Sequence, residues 1–170
     1  MTEQTMTTSV SSQLNEAVTR LFRELAHGTA PDSCWVLNPK DQGLLASLDR
    51  MSAAAASALS PGGGASIAAH VDHLRYGFEL MNRWAQGEDP FSTADYSTSW
   101  KRGSVDEPGW NGLRAALRNE IDRWGRVIEQ PRQLNAFELT GMLASVVHLA
   151  YHLGAMRQID PTLKGPPASD

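Results

Sequence analysis

Four of the five histidines in this 170-residue sequence occur as two close pairs. His70 and His73 are three residues apart, and His148 and His152 are four residues apart in the run HLAYHLGAMRQ. Residues at these spacings lie on one face of a helix, with Cβ atoms about 5 to 6 Å apart, so two imidazoles can reach a single ion. Neutral imidazole is a ligand for zinc, nickel, iron and copper. The pairs therefore predict either a divalent-metal site or, as the alternative, buried core histidines that need hydrogen-bond partners.

The sequence lacks the motifs of several other common sites. It contains no H-E-x-x-H, and a single cysteine, Cys34, excludes both an internal disulfide and a cysteine-based structural zinc. One E-x-x-H occurs in the first helix, at Glu24 to His27, whereas a di-iron carboxylate bundle requires two such motifs and further glutamates. The glycine-rich run PGGGAS lacks the lysine of a phosphate-binding loop. The two histidine pairs remain the best candidate for chemistry.

Apolar residues recur at intervals of three and four along most of the chain, as expected for amphipathic helices. Gly28 is a candidate stop for the first helix, Asn38 with Pro39 a candidate start for the second, and Asn135 with Glu138 resembles a capping box. No run alternates with period two for long enough to predict a sheet. We expect an all-α four-helix bundle with antiparallel neighbours and an additional short helix near the N-terminus, with helices over about residues 10–27, 38–60, 66–86, 108–129 and 135–159.

The predicted helices place both histidine pairs toward the core. At 100° per residue, the third helix has an apolar arc that contains both of its histidines, with His70 nearer the centre than His73. The last helix is apolar nearly all round, which predicts a central position. The polar loop of residues 87–109 carries Phe91, Tyr96 and Trp100, and long loops of this kind often cover a site.

Composition and charge limit the partners and the location. The formal net charge of −4, with no concentrated basic face, argues against binding of nucleic acid. The uncharged run at residues 139–156 contains two histidines, Thr, Ser and two glycines, so we expect a buried bundle helix rather than a membrane span. The N-terminus lacks the layout of a secretory signal, which predicts a cytoplasmic protein. We expect one domain over residues 1–160 and a disordered tail over residues 161–170.

The order of these motifs resembles the DinB/YfiT-like superfamily of metal-binding four-helix bundles. The resemblance rests on the helix start SIAAHVDHL after a glycine-rich turn, and on HLAYHLGAMRQ in the last helix, and covers roughly residues 10–160. It implies that His73, His148 and His152 bind a divalent metal, zinc or nickel being the best candidates. The helical wheel favours His70 as the ligand from this helix, whereas the resemblance favours His73. His70 would then support a ligand or act as an additional ligand.

The resemblance also implies a class of reaction. Characterised members of the superfamily are thiol-dependent S-transferases or isomerases that use low-molecular-weight thiols, and hydrolysis through bound water would use the same parts. We therefore expect a small-molecule substrate. We also expect a homodimer, because members of the superfamily commonly pair. The alternative function is a non-catalytic bundle that binds a ligand or partner. Candidate pocket residues are aromatic side chains and one arginine that could pair with a substrate carboxylate: Tyr76, Tyr151, Trp100 and Arg157. Trp35, Trp84 and Tyr96 are further candidates to line the pocket, although the position of Trp84 on the apolar stripe favours the core.

Overall fold

The secondary structure of the chain is helical, as the periodicity predicts. A computed structural model describes residues 2–31, 33–60, 62–130 and 133–168, and only the backbone of residues 2–11. These residues contain no β-strand and form seven α-helices: α1 Thr2–His27, α2 Gly43–Asp49, α3 Ala53–Ser57, α4 Ile67–Trp84, α5 Ser97–Trp100, α6 Glu107–Glu129 and α7 Ala136–Ile159. Gly28 ends α1 where expected, with a φ of 101° that favours glycine.

Four long helices form the bundle. The helices α1 and α4 each pack against both α6 and α7. The apolar spacing in residues 108–129 predicts a six-residue stripe on one side of this helix. The structure confirms it, because all six residues are buried in α6: Trp110, Leu113, Leu117, Ile121, Trp124 and Ile128. The core thus lies along the bundle axis, and the all-α fold class is confirmed.

The helices α4 and α6 run in the same direction, contrary to the expectation of antiparallel neighbours. Both begin beside the short helix α3, which packs against each of them. Near their other ends, the Asn82 side chain of α4 donates to the backbone oxygen of Glu120 in α6 over 3.0 Å. A parallel pair requires a long crossover, and the loop of residues 85–106 provides it. The loop that was expected to cover a site therefore also carries the chain back to the other end of the bundle.

The segment of residues 38–60 forms two short helices rather than one. Lys40 has a positive φ of 68°, and the Asp41 carboxylate accepts the backbone N–H of Gly43 over 2.9 Å, so α2 begins at Gly43 and not after Asn38. A second break follows because Ser52 has an extended conformation and caps α3 by accepting the N–H of Ala55.

The helix α4 is buried on more sides than its polar residues suggest. At 100° per residue, Asp72 and Asn82 fall on the polar side of this helix, yet both are buried. The crossover loop covers Asp72 and supplies Arg102 as an ion-pair partner over 2.6 Å. Asn82 faces α6. The wheel fails here because it takes no account of a loop that packs on the outer side of a helix.

The segment after α7 differs from the expected disordered tail. Pro161–Leu163 form a 3₁₀ turn, and Leu163 is buried in the core. The side-chain amide of Asn38 donates to the backbone oxygen of Pro166 over 2.8 Å. The described part of this segment, to residue 168, thus packs on the bundle, whereas Ser169 and Asp170 lie outside the described residues.

The helix α7 is apolar on both its buried and its exposed sides. It is long and apolar enough to cross a membrane by length and composition. Its inner face nevertheless packs in the core of the bundle through Met142, Leu149, Leu153 and Met156. The candidate span is therefore explained as a core helix. Its outer face exposes Phe137, Val147 and Tyr151, which are 70%, 67% and 67% accessible.

Candidate metal centre

Two well-defined helix starts determine where the histidine pairs lie. Ser66 caps α4 by accepting the N–H of Ala69 over 3.2 Å. At the start of α7, Asn135 and Glu138 form a complete capping box. Because α4 and α7 run in opposite directions, the His70 and His73 pair faces the His148 and His152 pair across the helix interface.

Three imidazoles converge through their Nε2 atoms. The Nε2 atom of His148 lies 3.2 Å from Nε2 of His73 and 2.9 Å from Nε2 of His152. One ligand nitrogen from each of these three side chains lies within 4.8 Å of the others, an arrangement that could hold a metal ion. His73 and His152 are buried, and His148 is partly buried.

The spacing of these nitrogens fits a small divalent ion. Ligand nitrogens about 2.0 to 2.1 Å from a tetrahedral zinc are about 3.4 Å apart, slightly more than the 3.2 Å and 2.9 Å that separate Nε2 of His148 from Nε2 of His73 and of His152. A neutral imidazole has one N–H and one lone pair. The Nε2 atom of His148 therefore cannot form two good hydrogen bonds at once, whereas one cation would satisfy all three lone pairs. Three protein ligands would leave a coordination position open, as in catalytic zinc sites.

His70 contacts the site through His152. The two Nδ1 atoms are 2.8 Å apart, so one of the rings donates a hydrogen bond to the other. If the Nε2 atom of His152 binds an ion, its proton must lie on Nδ1, and His70 is the acceptor. This geometry agrees with the predicted supporting role of His70 and reconciles it with the helical wheel, because both residues of the pair are buried.

A segment of the crossover loop covers the histidines. We call residues 91–102, which include α5, the lid. The Trp100 indole stacks on the His73 ring, with centroids 4.4 Å apart and an interplanar angle of 27°. The hydroxyl of Ser99 lies 3.2 Å from Nδ1 of His73. The expectation that this loop covers a site is thus met by direct contacts.

Two polar contacts hold the lid against α4. Arg102 pairs with buried Asp72, which also pairs with Arg75 over 2.9 Å. The backbone N–H of Asp95 donates to the Tyr76 hydroxyl over 3.1 Å. These two contacts do not involve the histidines. The position of the lid therefore does not depend on the histidines alone.

Burial keeps the imidazoles neutral at pH 7. Desolvation lowers the pKa of His152 to about 3, with further lowering by His148, His70 and His73. Desolvation also lowers the pKa of His73 to about 4, helped by His148 and His70 and opposed by Asp72. The pKa values of His70 and His148 are lowered by burial as well. Neutral imidazole is the form that binds metals.

The predicted pocket residues have different environments. Trp100 lies directly over the site, and Tyr151 packs its ring edge-to-face against His152 but is largely exposed. Tyr76 supports the lid through its hydroxyl and its contact with the Tyr96 ring. Arg157 forms an ion pair with buried Asp41 over 2.8 Å. Its charge is thus already neutralised inside the protein, which argues against the predicted role in binding a substrate carboxylate.

Other expectations concern residues away from the cluster. Trp35 is exposed, and its indole N–H donates to Ser33. The Glu24 carboxylate accepts hydrogen bonds from backbone N–H groups of the loop from Trp35 to Leu37. The Nε2 atom of His27 lies 3.5 Å from a carboxylate oxygen of Asp122. The single E-x-x-H is therefore structural.

Sequence reasoning missed three residues that contact or frame the site: Ser99, Asp72 and Arg102. The aromatic residues of the loop indicated that it covers something. A serine in a polar loop carries no comparable signal.

Comparison with known proteins agrees with the geometry. The model of the DinB superfamily matches residues 41–156, a range that contains α2 to most of α7 and all four clustered histidines. No curated protein and no solved structure matches the chain. The matched range begins after α1, later than the resemblance seen in the sequence. Because this match covers more than half of the chain, and the helical bundle and three-histidine group accord with it, the chain belongs to the DinB superfamily.

Proposed function

We propose that this protein is a divalent-metal-dependent enzyme that acts on a small molecule as a thiol S-transferase or a hydrolase. The convergence of the Nε2 atoms of His73, His148 and His152 beneath a lid is the observation that carries the proposal. A divalent ion, zinc or nickel, would lower the pKa of a thiol or water at its open position and so provide a nucleophile at neutral pH.

The side chains around the cluster suit this role. The two helices hold the imidazoles on a rigid support, and the lowered pKa values keep them ready to bind an ion without first losing a proton. Trp100 and Tyr96 limit access of water to His73 and offer aromatic surface to a substrate. A low-molecular-weight thiol is the second substrate that the S-transferase form requires. A cytoplasmic location is part of the proposal, since thiols are kept reduced there.

A non-catalytic bundle that binds a small ligand or partner is the second candidate. The observation that favours it is the ion pairing of Asp72, the carboxylate whose charge raises the pKa of nearby His73. This carboxylate is already paired with Arg75 and Arg102, so it is not free to serve as a general acid or base. In this candidate the histidines would be structural, with or without a bound ion.

Metal analysis tests the proposal first. Untagged protein purified without added metal is expected to hold about one zinc or nickel ion per chain. His148→Ala should lose the ion and keep its helicity, while His27→Ala, a change outside the cluster, should retain it. Transfer of a small thiol to an electrophile, and hydrolysis of ester or amide analogues, are then measured on the metal-loaded protein and on His148→Ala. Wild-type protein that binds no divalent ion would refute the metal-dependent function, and metal binding without activity would favour the second candidate.

We also propose a homodimer formed through the outer face of α7. The exposed side of this helix around Ala144, Val147, Tyr151 and Gly154 carries no charge, so two copies could pack face to face without repulsion. Sedimentation should give a dimer for the wild type and a monomer for Val147→Glu. A wild-type monomer at micromolar concentration would refute this part.

A further inference from the structure

The contact between Ser99 and His73 can be read as a directed hydrogen bond. The hydroxyl of Ser99 lies 2.9 Å from the backbone oxygen of Tyr96 and 3.2 Å from Nδ1 of His73. A carbonyl oxygen only accepts, so the single hydroxyl proton of Ser99 points to Tyr96. The oxygen of Ser99 is then left as the acceptor, and Nδ1 of His73 must carry the proton.

The direction of this bond determines which nitrogen of His73 is available. A neutral imidazole has one proton, so a proton on Nδ1 leaves the lone pair on Nε2. This Nε2 atom is the one that lies 3.2 Å from Nε2 of His148. The neutral histidine side chain in water favours the opposite tautomer, with the proton on Nε2. The ring of His73 therefore needs a partner that holds it in the less favoured form.

The environment of Ser99 makes it suitable as that partner. Its side chain is buried beside the cluster, so water does not replace it. The lid that carries it is held by the Arg102 to Asp72 ion pair, which leaves the serine in place before any ion binds. Trp100, the next residue, stacks on the same imidazole and restricts its rotation.

We propose that Ser99 is a positioning residue that holds His73 in the Nδ1–H tautomer and so prepares its Nε2 atom for metal binding. Only the effect on metal binding rests on the proposed metal-dependent function. The tautomer itself is a property of the metal-free protein. The lid is then part of the metal centre, because its Ser99 supplies a hydrogen bond to one of the proposed ligands.

The experiment compares Ser99→Ala with Thr98→Ala. Thr98 is the neighbouring lid residue, and its hydroxyl donates to Asp95 rather than to His73, so its loss is a matched control. Full-length protein labelled with ¹⁵N-histidine is treated with chelator, and the tautomer of His73 is read at pH 7.5 from two-bond ¹H–¹⁵N correlations. The His73 signals are assigned by their loss in His73→Asn. Zinc affinity is measured in parallel by competition with a chromophoric chelator.

In wild-type and Thr98→Ala protein we expect His73 with its proton on Nδ1. In Ser99→Ala we expect a shift to the Nε2–H form and a zinc affinity about 10- to 100-fold lower, the usual cost of removing a partner that orients a ligand. A wild-type His73 with its proton on Nε2 would overturn the inference, as would equal loss of affinity in the two variants or no change in Ser99→Ala. If Ser99→Ala does not fold, the wild-type spectrum still decides. If wild-type protein binds no zinc, the proposed function fails, while the tautomer measurement judges Ser99 separately.

Discussion

The helix α7 contributes to two buried polar clusters that are built on opposite principles. Near its C-terminus, Arg157 meets Asp41, and the same carboxylate accepts the N–H of Gly43. His152 and His148 lie five and nine residues before Arg157 on the same helix, and they face the two histidines of α4, so that four imidazoles meet. In the first cluster charge is balanced by opposite charge. In the second, burial suppresses charge, and the Nε2 atoms of three rings converge.

This difference separates a cluster that supports the fold from one suited to a ligand. The charges of Arg157 and Asp41 balance each other, so this ion pair needs no ligand to be neutral. Three Nε2 atoms in contact cannot all form good hydrogen bonds with one another, because each neutral imidazole has one N–H and one lone pair. A cation bound by all three lone pairs would be a better partner. Stability should therefore depend mainly on the ion pair, and metal binding on the histidines.

The largest expected effect on stability comes from breaking the ion pair between Arg157 and Asp41. Arg157→Ala leaves the buried carboxylate of Asp41 without its partner, which should lower the free energy of unfolding by about 3 kcal/mol and leave zinc content unchanged. Urea denaturation measures the first and elemental analysis the second. Arg20→Ala, which breaks the exposed pair with Glu16, is the control and should cost less than about 0.5 kcal/mol. Loss of zinc in folded Arg157→Ala would mean that the two clusters are not independent.

Added metal should stabilise the protein without being required for folding. The buried core runs through all four long helices, so the chelated protein should keep its helicity. Zinc at 100 times its Kd should raise the free energy of unfolding by about 2.7 kcal/mol, measured by urea denaturation with and without chelator. The same zinc should leave His148→Ala unchanged. Unfolding on chelation alone would instead identify a structural site.

Acid should destabilise the metal-free protein through the histidine cluster. The pKa values of His73 and His152 are about 4 and about 3 in the folded chain, below the ordinary value of 6.5, so the unfolded chain binds more protons below pH 6.5. Stability therefore falls as pH falls through this window, with a slope approaching about 1.4 kcal/mol per pH unit for each imidazole.

Chelated protein is denatured with urea at several values between pH 7.5 and 5.5, a range in which most carboxylates stay ionised. His152→Gln should have a shallower slope because one titrating group is removed. A flat profile in the wild type would show that the imidazoles are not neutral by burial.

The sequence predicts the α6 stripe, the cap at Asn135 and the convergence of two histidine pairs because each depends on periodicity or local chemistry within one helix. It does not predict the parallel packing of α4 and α6, which depends on where a 22-residue crossover runs, residues 85–106. The same long-range packing buries Asp72 beneath Arg102 and brings Ser99 to His73. The pairing of Arg157 with Asp41 was missed for that reason too, since 116 residues separate them.

The smallest expected effect concerns His70, the histidine of the cluster that contacts another ring through Nδ1 rather than joining the three Nε2 atoms. His70→Ala removes the acceptor for Nδ1 of His152 and should weaken zinc binding by about 10-fold, since a partner that orients a ligand is lost but no ligand is. The affinity is measured by chelator competition beside His148→Ala, which should lose binding altogether, and His27→Ala, which should match the wild type. A loss in His70→Ala as complete as that in His148→Ala would make His70 a fourth ligand. The open position would then be filled by protein, and the cluster would resemble the charge-balanced ion pair more than a site prepared for substrate.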